Sequence, residues 1–169
     1  MENKINTTEE VDSLVKRSLK CLDAYANYTQ EQIDYIVAKA SVAALDKHGI
    51  LALHAVEETK RGVFEDKATK NLFACEYVVN NMRHLKTVGV ISDNEVTGIT
   101  EIAEPVGVVA GITPVTNPTS TAIFKTLISL KTRNGLYFMD RASFNGSDNS
   151  FNEPSWRINN SSNRWKCNG

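Results

Sequence analysis

Apolar residues recur at helical spacing through the first half of the chain and take up a period of two only at Thr87. Val11, Leu14, Val15, Leu19 and Leu22 mark an amphipathic helix over about 7–25, opened by a capping box of Thr7 and Glu10. Thr29 and Gln32 repeat the device. Ile33, Ile36, Val37, Ala40, Ala43 and Ala44 then draw a second stripe, expected to end at His48-Gly49 with the glycine as a left-handed cap. A third helix is expected over 50–61, stopped by Gly62, and a fourth over about 65–85. Val88, Val90 and Ile91, a turn at Asp93-Asn94, and then Val96, Ile99 and Ile102 read as a β-hairpin within 87–103.

The pattern changes again over 104–135. Residues 106–112 form a short β-branched run between Pro105 and Pro114, as a buried parallel strand does. Asn117-Pro118-Thr119-Ser120 supply a turn and a helix start, after which Ile123, Leu127 and Leu130 recur at helical spacing, with Phe124 and Ile128 widening the stripe. Lys131 and Arg133 close that helix. In open α/β sheets ligands sit beyond the carboxyl ends of strands, so the loop 113–119 is where function is expected. No GxGxxG fingerprint is present; Gly107 and Gly111 lie within the strand itself. Asn117 has two readings. Its carboxamide can donate to a developing oxyanion, and an asparagine before proline also simply starts a turn.

Helices, a hairpin and one strand-loop-helix make an incomplete α/β plan, since a lone parallel strand leaves most of its sheet missing. Residues 136–169 hold seven Asn and six Ser, with Leu136 and Ile158 as their only Leu, Ile or Val. That composition is expected to stay disordered, with a boundary at Gly135.

Composition narrows the function classes. Nineteen basic against 20 acidic residues leave a net charge of -1, which gives no bulk electrostatic reason to bind nucleic acid or an anionic membrane. No apolar run approaches the roughly 18 residues a membrane span needs, and the polar start lacks a signal-peptide plan, so the cytoplasm is expected. Cys21, Cys75 and Cys167 form no CxxC pair, and His48, His54 and His84 have no ligand spacing, so no metal site is expected.

The segments YTQEQIDYIV (28–37), FEDKATKNLFACEYV (64–78) and ITEIAEPVGVVAGITPVTNPTSTAIFKTLISLKTRNG (99–135) resemble the amino-terminal part of the CoA-acylating acetaldehyde dehydrogenase half of bifunctional aldehyde-alcohol dehydrogenases, in the aldehyde dehydrogenase superfamily. The EPVGV and TNPTSTAIFK combination carries most of that specificity. The resemblance implies that 1–135 is a partial aldehyde dehydrogenase domain and that its strand-loop-helix opens the NAD-binding domain. Ile112, Thr113, Pro114, Val115, Thr116 and Asn117 would then flank the nicotinamide ribose, and Asn117 would be the oxyanion donor. It further implies NAD as cofactor, CoA and a small aldehyde as substrates, interconversion of acetaldehyde and acetyl-CoA in fermentation, and homo-oligomers assembled through the hairpin 87–103. The family pattern breaks off shortly after Gly135, and Cys167 lacks the context of the family's catalytic cysteine. The expectation is therefore a truncated chain, as a frameshift or broken gene would give, inactive by itself. The alternative is a non-catalytic interaction module that associates with full-length subunits.

Overall fold

The computed structural model describes residues 7–140. The expectations for 141–169, Cys167 among them, lie outside the described residues, as do the side chains of Thr7 and Glu10 and so their capping box. Helix α1 (Thr7–Tyr25) leads into α2 (Gln30–Leu45), whose expected capping box forms: Gln32 N donates to Thr29 Oγ1 (3.3 Å) and Thr29 N to Gln32 Oε1 (2.9 Å). Two amides of the helix start are thereby satisfied reciprocally.

Three boundaries differ from the sequence reading. Helix α2 stops at Leu45, where His48 Nδ1 donates to Leu45 O (2.6 Å), and Gly49 lies inside α3 (His48–Thr59) instead of capping α2. The left-handed position falls at Lys60 (φ 54°), with Gly62 (φ 72°) just beyond. The expected helix 65–85 is two, α4 (Phe64–Cys75) and α5 (Tyr77–Met82), broken where Ser41 Oγ donates to Cys75 O (2.6 Å). The hairpin pairs β1 (Gly89–Asn94) with β2 (Ile99–Ala103), but Asp93 and Asn94 belong to the strand. The turn is the next four residues, 95–98, in which Asn94 Oδ1 accepts from Val96 N and Thr97 N (3.0 and 3.1 Å) and Gly98 takes φ 67°. An Asx turn thus replaces the shorter one expected.

Strand β3 (Val108–Thr113) and helix α6 (Pro118–Lys131) fall close to their expected places. A further strand corrects the boundary expected at Gly135. Residues Gly135–Asp140 form β4, parallel to β3 and in register from Val108 with Gly135 to Thr113 with Asp140. Asn134 and Gly135 start the pairing: Gly107 N donates to Asn134 Oδ1 and Gly135 N to Gly107 O, each at 3.0 Å. The apolar run Leu136-Tyr137-Phe138-Met139 is obscured in the sequence by the Asn- and Ser-rich composition of the residues beyond it. β3, α6 and β4 therefore make a complete βαβ unit, with α1 packed against it.

Gly111 is fitted to that pairing, because a Cβ there would stand 3.0 Å from the Phe138 ring and 3.2 Å from Leu136 Cδ1. Gly111→Val is expected to lower stability by about 1–3 kcal/mol, since overpacking outweighs the roughly 0.5–1 kcal/mol that removing a strand glycine returns. A fall in the urea midpoint checks this; a rise would mean that β4 does not lie on β3.

The core forms where α6 meets α2. Ile33, Val37 and Leu127 are buried together, with Tyr25, Val79, Met82, Val88, Ile123 and Leu130 around them. The apolar stripe of α6 is thus occupied largely by helices. Lys131, only 2% exposed, reaches back to pair with Asp34 of α2, and Thr87 Oγ1 donates to Lys131 O (2.6 Å). Burying that ammonium is tolerated because it is paired.

Candidate functional site

The loop 113–117 leaves β3 at its carboxyl end and delivers the chain to the start of α6. Pro118 occupies the first helical turn, where its missing N–H costs nothing. Asn117 sits at the N-cap with φ -142° and ψ 63°, yet its side chain makes no capping bond. The carboxamide is free to point elsewhere. Ile112 is half exposed, Val115 and Thr116 are exposed, and Thr113 is buried with an Oγ1 that has no hydrogen-bond partner. Tyr25 Oη and Arg133 Nε are also buried without a partner, but Thr113 Oγ1 is the one at this loop, where a polar ligand group would fit.

Helix α4 holds this loop through three residues on one face. Lys67 Nζ donates to Thr116 O (2.8 Å), Lys70 Nζ donates to Asn117 Oδ1 (3.2 Å), and Asn71 Oδ1 accepts from Thr119 Oγ1 (2.8 Å). Positions i, i+3 and i+4 of a helix are neighbours, so one face grips the loop before, at and after the cap. Asn71 is itself fixed, its Nδ2 donating to His48 O (2.9 Å). Lys67 is 5% exposed, and burial, helped by the charge of Lys70, lowers its pKa. From the other side Lys125 Nζ donates to Ile112 O (2.9 Å). Three lysine ammoniums therefore surround the loop, which suits an anionic or electron-rich ligand.

The residues expected at the site, Ile112 to Asn117, run from the last two positions of β3 to the N-cap of α6. Lys67, Lys70 and Asn71 were missed. The available signal was the polar i, i+3, i+4 set inside FEDKATKNLFAC, but nothing in the sequence says which segment that face meets. Cys75 is buried and its thiol is pushed up to about 11 by burial and then by Glu76, while Cys21 is exposed on α1. Among the described residues no group of three His, Cys, Asp or Glu could hold a metal ion, and no helix is long and apolar enough to cross a membrane.

No protein-family model matches the chain. Over 137 residues it is 72% identical to the aldehyde-alcohol dehydrogenase of Streptococcus pneumoniae, covering 81% of this chain and 16% of that protein. Over 139 residues it is 63% identical to aldehyde-alcohol dehydrogenase 2 of Entamoeba histolytica, covering 81% of this chain and 16% of the other. Its fold matches the crystal structure of an acetylating aldehyde dehydrogenase from Geobacillus thermoglucosidasius with a TM-score of 0.80 at 44% identity, over 84% of this chain and 32% of that one. The strand-loop-helix and the helices around it are thus those of an acetylating aldehyde dehydrogenase over part of its length. The chain belongs to the aldehyde-alcohol dehydrogenase family and corresponds to its amino-terminal region. It spans about one sixth of the length of these curated relatives (16%).

Proposed function

We propose that these residues build the nicotinamide side of an NAD-dependent, CoA-acylating aldehyde dehydrogenase that interconverts acetaldehyde and acetyl-CoA in fermentation, in the cytoplasm. The observation that carries the reading is Asn117. Its carboxamide oxygen is engaged by Lys70, its N-cap bond is unmade, and its NH2 is left to donate at the carboxyl end of β3.

In the direction of aldehyde oxidation, a cysteine thiolate supplied by another part of the catalytic unit adds to the aldehyde carbon. The C–S bond forms as the carbonyl π pair moves onto oxygen, and Asn117 Nδ2 donates to that oxyanion. NAD, once held by this loop, would supply the hydride acceptor that oxidation to a thioester requires. CoA thiolate then displaces the enzyme cysteine and leaves as acetyl-CoA. Ile112, Thr113, Pro114, Val115 and Thr116, with Asn117, would hold the nicotinamide ribose, and the buried Thr113 hydroxyl without a partner is in keeping with a polar group there.

The 169 residues by themselves are inactive on this reading, because a donor without its nucleophile forms no thiohemiacetal. Purified chain given acetyl-CoA and NADH is expected to yield no acetaldehyde and no NADH oxidation above the protein-free rate. Acetyl-CoA-dependent oxidation with acetaldehyde formation overturns this part of the proposal.

A second reading is favoured by the hairpin, whose Val90, Ile91, Ile99 and Ile102 are all exposed. The chain then acts as a non-catalytic module that binds full-length subunits through its open strand edges. Copurification with an intact homologue supports that reading, and its absence removes it.

A further inference from the structure

The proposed oxyanion donor is oriented from outside its own loop. An asparagine side chain can present either its oxygen or its NH2 to a ligand, and the two are nearly equal in size, so something must choose. Lys70 makes the choice. An ammonium carries three donors and no acceptor, so the group facing it has to be Oδ1, and at 3.2 Å the contact turns Nδ2 away from α4. Lys67 on Thr116 O holds the backbone just before residue 117, and Asn71 holds the side chain of Thr119 just after it, so the loop that carries the amide is anchored on both sides. A cation on the carbonyl oxygen also draws electron density from the NH2 and strengthens it as a donor.

We propose that Lys70 is a positioning residue, setting the carboxamide of Asn117 with its NH2 outward for the reacting oxygen. The inference rests on the reading of Asn117 as the oxyanion donor, but its test does not require turnover. In the full 169-residue chain labelled with 15N-asparagine, the Asn117 side-chain NH2 resonances are identified by their loss in Asn117→Asp. Lys70 is exposed, so its variants keep the helix. In Lys70→Glu, which can only accept, the carboxamide is expected to turn over, and nuclear Overhauser contacts appear between the Asn117 NH2 protons and the residue 70 side chain. In Lys70→Met the NH2 resonances shift and split between two orientations; Lys70→Arg, a donor like lysine, restores the native pattern. The Asn134 NH2, bonded to Thr132 Oγ1 at 2.7 Å, stays in place throughout and reports an intact fold.

Asn117 contacts that are the same in Lys70→Met and Lys70→Glu as in the native chain overturn the proposal. That result leaves the oxyanion role untouched, since a donor oriented by other means still donates. Loss of the oxyanion role, read separately from the kinetics of Asn117 variants, leaves the turnover of the amide standing as an orientation device without that use.

Discussion

Asn117→Ala is expected to lower kcat by about 10²–10³-fold, with KM nearly unchanged, in the Streptococcus pneumoniae enzyme carrying this chain's matching segment in place of its own. The graft supplies the nucleophile and the remaining site, and at 72% identity over 137 residues the segment replaces one of closely similar surface. The split between kcat and KM decides the mechanism. A donor that acts only when charge develops on the aldehyde oxygen lowers kcat, whereas one that merely holds substrate raises KM. Asn117→Asp is expected to be worse than alanine, because a carboxylate faces the oxyanion with like charge. The backbone risk is small. Asn117 makes no capping bond that alanine would remove, and Pro118 keeps the helix start preset. Native kcat in Asn117→Ala, with the graft's unmutated rate confirmed, removes the oxyanion role.

How much of the fold and site is legible in the sequence depends on the range of the interactions. The capping box of Thr29 and Gln32, the β-branched run of β3 and the proline start of α6 are set by residues near one another in the chain; the first and last appear where the pattern puts them, and β3 begins at Val108, two residues later than expected. Gly49 misled because a glycine after a helical stripe can cap it, yet His48 closes α2 through Leu45 and the next helix begins at once. β4 was hidden by averaging its short apolar run with an Asn- and Ser-rich stretch. The site divides in the same way. The loop could be placed from its position after a strand, whereas Lys67, Lys70 and Asn71 meet it across sequence separations of 49, 47 and 48 residues. No local period encodes such a contact. It depends on α4 and α6 packing together, beside α2.

The hairpin supports the other large expectation. Its base is fastened: Arg133, 6% exposed, donates from Nη1 to Ala26 O and from Nη2 to Ala103 O, each at 3.0 Å, tying the end of β2 to the turn after α1. Beyond that clamp the arm is bare, with Val90 43%, Ile91 48%, Ile99 59% and Ile102 58% exposed. A two-stranded ribbon open on both faces is marginal by itself in water, and open edges carrying aliphatic side chains pair with another chain. We propose that the homo-oligomer implied by the family resemblance lays this hairpin against a second copy. Val90→Glu with Ile102→Lys tests it without breaking the hairpin, because the two positions are cross-strand partners and the new charges attract one another. Each aliphatic side chain buried in an interface contributes about 1.5–3 kcal/mol. Losing two, with charges put in their place, is expected to weaken self-association by at least 10²-fold. Sedimentation velocity of the chain over a concentration series reads the change directly. The native chain is expected to sediment as an assembly and the double variant as a monomer of about 19 kDa with unchanged helical content. Association of both alike places the partner surface elsewhere on the molecule, and a monomeric native chain overturns self-association through the hairpin. The pairing of Lys and Glu across the ribbon makes that outcome interpretable, since the arm remains folded while the face it presents has changed.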